Sequence, residues 1–116
     1  MPIGALVAES ATPIWYQVHA ADPDTAARQV ATAVEAGCKA ICVSTGVTPF
    51  APGTRPKPAR IDWKAIDALT RDSRLPIVIK GITAADAAAT ALLVTTCHAL
   101  IVSTHGLPVQ AENPCC

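Results

Sequence analysis

Two rhythms of apolar and polar positions alternate along this chain. Short strand-like segments stand at 14–19, 40–44, 75–80 and 99–105, the last two opening as runs of mostly branched apolar residues. They are too short for helices and suit strands buried on both faces. Between them the apolar positions recur at helical spacing: Ala26, Ala27, Val30, Ala33 and Val34 fall on one side, and Trp63, Ile66 and Leu69 form a stripe. Residues 4–10 read as the end of a helix, which Pro13 separates from the first strand. Asp22-Pro23-Asp24 is a helix start, with a capping carboxylate, proline in the first turn and acid at the positive end of the dipole. Gly37 ends that helix, another begins near Asp62 and runs to Thr70, and Thr83 with Asp86 predicts a start close to a capping box. Residues 45–60 hold four prolines and two glycines and read as a loop.

Strands alternating with helices predict right-handed crossovers and a parallel sheet, so the fold class is α/β. Four such units at ~30 residues each account for nearly the whole chain. The third strand is expected to end at Lys80 and the fourth at His105. In parallel α/β folds the working groups gather where strands end. The shared rim would carry Gln17 and His19, Ser44 and Thr45, Lys80, then Ser103 and His105. Residues two apart in a strand share a face, which pairs Gln17 with His19 and Ser103 with His105. An amide, an ammonium and two imidazoles around one cavity could bind an anionic or electron-rich ring and move protons. Each residue taken singly has a plainer reading as a solvated rim residue. Gly53-Thr54-Arg55 in the loop reads as an exposed turn that could reach a carboxylate. His98 precedes the fourth strand, at the opposite end from the rim, and reads as structural.

Composition narrows the class of ligand. The 116 residues carry nine basic and nine acidic side chains, so there is no charged stripe or tail for nucleic acid or an anionic membrane. Aromatics at 3% disfavour a base-stacking platform. The longest apolar stretch, 84–102, is interrupted by Asp86 and His98 and reads as a helix then a strand. No basic residue precedes the first apolar run, so a secretory signal is not expected and the expected location is cytoplasmic. Five cysteines lie in no knuckle-like pairs. Cys38, Cys42 and Cys97 sit in or beside apolar segments as small hydrophobes, with no metal expected. No glycine-rich dinucleotide fingerprint or Walker-type loop is present.

Five segments in order carry a resemblance: Trp15-Tyr16-Gln17-Val18-His19, Ala36-Gly37-Cys38-Lys39-Ala40, Trp63-Lys64-Ala65-Ile66, Leu75-Pro76-Ile77-Val78-Ile79-Lys80-Gly81-Ile82 and Ile101-Val102-Ser103-Thr104-His105-Gly106. From about residue 14 to 106 the chain resembles the FMN-dependent α-hydroxy-acid dehydrogenase and oxidase family, that of glycolate and lactate oxidases. The resemblance implies a TIM (β/α)8 barrel of which residues 1–116 are a middle part, about four βα units. It implies FMN as cofactor and a small 2-hydroxy acid as substrate, oxidised to the 2-oxo acid. Gln17 would hydrogen-bond the flavin ring and Ser44 would touch it. Lys80 would sit beside its N1 and O2 edge, and His105 would be the base that takes the substrate's hydroxyl proton. Arg55 loosely matches an arginine that binds the substrate carboxylate, and His19, expected to bind substrate, stands where many members have a tyrosine two residues after the glutamine.

The departures shape the expectation as much. The rim aspartate that supports the catalytic histidine corresponds to Gly46, the asparagine before that histidine to Thr104, and the Gly-Gly-Arg that should follow it is replaced after Gly106 by Leu107-Pro108. The family's first two strands and its phosphate-binding last strands have no counterpart, and a full barrel of ~250 residues is about twice this length. One expectation is therefore an incomplete oxidoreductase, inactive or weak alone, with a frame change or early stop after Gly106. A second is a half-barrel completed by self-association into a homo-oligomer, or by another chain, since open strand edges need partners. A third is a small-molecule-binding module that kept the scaffold without the catalysis.

Overall fold

The computed structural model describes residues 2–20, 23–48, 51–71 and 73–104. The elements run α1 (Ile3–Glu9), β1 (Trp15–His19), α2 (Pro23–Ala36), β2 (Ala40–Ser44), α3 (Trp63–Thr70), β3 (Ile77–Ile82), α4 (Ala85–Val94) and β4 (Ala99–Val102). The strands form one sheet in the order β1-β2-β3-β4. Every neighbouring pair is parallel, as strands joined by helical crossovers require.

Local chemistry sets most boundaries. In α2, proline occupies the first position and Asp24 the first turn. Its end is a full Schellman motif: the Gly37 N–H donates to the Val34 carbonyl at 3.2 Å and the Cys38 N–H to the Ala33 carbonyl at 3.1 Å. The φ of +90° at Gly37 is why glycine stands there. The Asp62 carboxylate caps α3 by accepting the Ala65 N–H at 3.0 Å. At α4 the expected capping box does not form. The N-cap is Ala84, so Thr83 lies one residue before it and Asp86 accepts instead from the N–H of Ala87. A capping box needs its hydroxyl at the N-cap itself and its acid three residues on.

One sheet face is packed under the helices. Val18, Ile41, Val43, Ile77 and Ile79 are buried there with Ala33, Ile66 and Ala91. On the other face the two central strands still bury Cys42 and Val78, whereas Trp15 at the β1 edge is 58% exposed. Burial in the middle with exposure at the edges is what a sheet curled around that face produces. His98 fastens the far end of the sheet: its Nδ1 accepts the Ile77 N–H at 3.1 Å and its own N–H reaches the Ile77 carbonyl at 2.7 Å. The structural role expected of it is the one it has.

Two strand ends differ from expectation. β3 runs two residues past Lys80, to Ile82, and its register against β4 shifts between Lys80 and Ile82, with φ of +111° at Gly81. The intervening glycine is a bulge, and a bulge lets a strand continue beyond a change of register. β4 stops at Val102, three residues short of the expected end, and His105 lies outside the described residues.

Candidate active site at the strand ends

Register brings three of the expected residues side by side. His19 pairs with Ser44, and Ser44 with Lys80, on successive parallel strands. Partners at one level point to the same face, so the three form a row along the curled side with neighbouring backbones ~4.8 Å apart. One level lower, Gln17 pairs with Cys42 and Cys42 with Val78. Gln17 is therefore on the same face, at the exposed β1 edge.

The row differs in exposure across the sheet. Ser44, on a central strand, is 1% exposed, and among the described residues its Oγ has no hydrogen-bond partner. Lys80 and His19 are half-buried. Backbone bonds fix the spacing: the Ala20 N–H donates to the Ser44 carbonyl at 3.2 Å, and the Thr45 N–H to the Lys80 carbonyl at 2.9 Å. Burial pushes the Cys42 thiol above its ordinary pKa, and the Lys80 ammonium pulls it partly back. Among the described residues no strand contains an aspartate or glutamate, and Lys80 is the one permanent charge on them. The face is electropositive and offers one buried hydroxyl, a combination suited to an anionic or electron-rich planar ligand.

Above β1 and β2 the 45–60 loop folds back on itself. Val47 and Pro58 form an antiparallel bridge, the Thr48 N–H donates to the Lys57 carbonyl at 2.8 Å, and the Ala59 N–H to the Gly46 carbonyl at 2.9 Å. A cleft of about 170 Å³ opens beneath, lined by His19, Thr45, Thr48, Arg60 and Asp62 among others. Arg55 is exposed and does not line it. Arg60 does, and sequence reasoning passed it over; its place two residues before the α3 cap was the available signal. Ser103 follows β4 and donates its N–H to the Ile82 carbonyl at 3.3 Å. Among the described residues no cluster of His, Cys, Asp and Glu could hold a metal ion.

Gly46 occupies the position where the resemblance leads one to expect an aspartate. Its φ is +83°, and a Cβ added there would meet the Gly81 carbonyl oxygen at 3.1 Å. A carboxylate at this position would be strained by both backbone and contact.

With this geometry in hand, a profile of the FMN-dependent dehydrogenase family matches residues 51–107, the span from the loop through β4. The resemblance is to the FMN-dependent dehydrogenases. No curated protein matches the sequence. Solved structures do: mandelate oxidase with benzoyl-formic acid is 25% identical over 91% of this chain and 36% of that one, at a TM-score of 0.70. A mandelate oxidase mutant with benzaldehyde is 23% identical over 98% of this chain and 39% of its own, at 0.72. Another mandelate oxidase structure is 23% identical over 91% and 38%, at 0.71. The chain thus spans less than two-fifths of each of these three chains. The fold is a four-stranded arc of a parallel TIM barrel. No helix among the described residues is long and apolar enough to cross a membrane.

Proposed function

We propose that this chain carries the flavin-facing arc of an FMN-dependent oxidoreductase that oxidises a small 2-hydroxy acid to the 2-oxo acid. The observation that carries the reading is the buried Ser44 hydroxyl, set between His19 and Lys80 and without a hydrogen-bond partner among the described residues. A buried hydroxyl left unbonded costs ~1–3 kcal/mol, a cost that a bound polar ring edge would remove. The residues fit such a group: Gln17 and Ser44 offer hydrogen bonds, and Lys80 offers a fixed positive charge. When bound, FMN supplies a ring that accepts the hydride from the substrate's α-carbon.

The chain's own residues supply the rest. Lys80 favours negative charge on whatever lies against it, more strongly because it is half out of water. His105, three residues past the end of β4, takes the substrate's hydroxyl proton. His19 and a loop arginine, Arg55 or the cleft-lining Arg60, hold the substrate carboxylate. A second reading, a half-barrel that pairs with a second copy of itself, draws on β1 and β4 as the edge strands of the described sheet and on Trp15 and Val102, 58% and 69% exposed.

One experiment addresses both. FMN is titrated into the purified chain, followed by flavin fluorescence and visible absorbance, with sedimentation on the same samples. Saturable binding is expected, weakened about tenfold (~1.4 kcal/mol) in Lys80→Met. Equal affinity in Lys80→Met and the unsubstituted chain would overturn the flavin reading, as would no spectral change at any concentration. A monomer with and without FMN would overturn the pairing.

A further inference from the structure

Lys80 owes its place to something other than its own strand. Past it, β3 is irregular: Gly81 has φ of +111° and the register against β4 shifts. What anchors this point is the end of β2. The Thr45 N–H donates to the Lys80 carbonyl at 2.9 Å, and the next residue, Gly46, lies so close to the Gly81 carbonyl that a Cβ would stand 3.1 Å from that oxygen. Gly46 is itself held from the far side, its carbonyl accepting the Ala59 N–H at 2.9 Å from the returning arm of the loop. The chain of contacts runs from loop to Gly46 to the Lys80–Gly81 peptide.

We propose that Gly46 is a positioning residue for Lys80: the missing side chain lets the end of β2 close onto the bulge at Gly81 and fixes where the ammonium stands on the curled face. The proposal rests on the flavin reading for what Lys80 touches, but not for where it stands. A side chain at 46 would push the Gly81 carbonyl by a few tenths of an ångström and carry the Lys80 backbone with it, because carbonyl oxygen and Cβ cannot share that space. It would also have to adopt the positive φ of +83°. The same contact accounts for the absence of an acid at this position. In this chain the site is used to seat the lysine.

The placement has a reporter that needs no flavin. Cys42 stands diagonal to Lys80 on the same face, and its titration senses the ammonium. The charged or titratable groups facing it across that row are His19 from β1 and Lys80 from β3. The experiment is a 13Cβ-cysteine NMR titration of the ligand-free chain, with unfolding by urea alongside. Lys80→Met should move the Cys42 midpoint up, and Gly46→Ala should move it the same way. The double variant should titrate like Lys80→Met, because without the ammonium the glycine has nothing to position. If Gly46→Ala does not fold, Ala59→Pro is read instead: it deletes the N–H that anchors Gly46 without adding bulk there, and the upward shift is again expected. A folded variant that is less stable yet leaves the Cys42 titration unmoved, or moves it down, would overturn the proposal. Weaker FMN binding with an unchanged Cys42 titration would count against Gly46 while leaving the flavin reading intact.

Discussion

Replacing Ser44 with alanine should make the ligand-free protein more stable and its ligand binding worse. Ser44 is 1% exposed, at the end of a strand whose five residues are all buried. Its Oγ has no partner among the described residues. A hydroxyl in that condition has given up its water without a replacement, at ~1–3 kcal/mol. Alanine keeps the Cβ and the strand pairing to His19 and Lys80 and removes only the stranded oxygen. The void left by one atom takes back part of the gain through lost dispersion contacts. The lower end, ~1 kcal/mol, is therefore the expected net stabilisation.

Urea unfolding measures it. With a slope of ~1–3 kcal/mol per molar, a gain of ~1 kcal/mol moves the midpoint up by ~0.3–1 M at constant slope. In a thermal scan the same change appears as a rise of roughly 4 °C. Adding FMN should then raise the midpoint of the unsubstituted chain more than that of the variant, since a ligand stabilises in proportion to its affinity for the folded state. Ser44→Ala that loses ~1 kcal/mol would refute the reasoning. Such a loss means that the hydroxyl is already satisfied inside the protein and is not waiting for a ligand.

Two further substitutable or titratable groups have defined outcomes. His98→Ala should cost ~1–2 kcal/mol in urea, because the buried Ile77 amide loses the Nδ1 acceptor at 3.1 Å, and His98→Asn should recover part of that loss by offering an oxygen; alanine and asparagine variants of equal stability would rule the bond out as the cause. The Cys42 thiol is raised first by burial, with Lys80 opposing. Its proton is therefore held more tightly folded than unfolded, and the resulting stability is complete at neutral pH and lost as pH climbs through the folded pKa. Unfolding free energy followed from neutral into alkaline solution should fall more for the unsubstituted chain than for Cys42→Ala, and parallel curves would contradict the assignment.

What the sequence made readable, and what it did not, follows from how local each determinant is. β2 was legible residue for residue because the run from Ala40 to Ser44 is apolar until its last position and is bounded by Gly37 and Gly46. The limits of α2 were legible because Pro23 and Gly37 act through their own backbones. The end of β3 was not, since its extension past Lys80 depends on a bulge defined only against β4. The start of α4 was misplaced by one residue, because Thr83 and Ala84 differ in which of them takes the extended N-cap conformation, and Ala84 does. Of the site, the His19–Ser44–Lys80 row could be anticipated from strand ends. That Ser44 is buried and lacks a partner among the described residues could not, as it needs the registers of three strands at once. Arg60 was hidden for a similar reason. Three basic residues compete in the 45–60 loop, Arg55, Lys57 and Arg60, and it takes the folded loop, with its Val47–Pro58 bridge, to show that Arg60 lines the cleft.

The graded burial of the curled face separates two properties that a complete barrel would merge. Cys42, Ser44 and Val78 are covered although they lie on the face opposite the packed helices, whereas Trp15 and Ala99 on the edge strands of that face are open. Lys80 on β3 acts on Cys42 of the neighbouring strand β2, so the charge and the thiol it opposes belong to two adjacent strands. The edges are different. Trp15 leads β1 and lies at the end away from the row, so what eventually covers it adds stability without reshaping the row. It follows that the charge and the hydroxyl are brought together by the pairing of adjacent strands. Closure of the sheet governs how tightly a ligand is retained. Weak binding by this arc would therefore be compatible with a correctly built row. The Ser44→Ala comparison distinguishes the two, since it reads the row through stability whether or not a ligand is held.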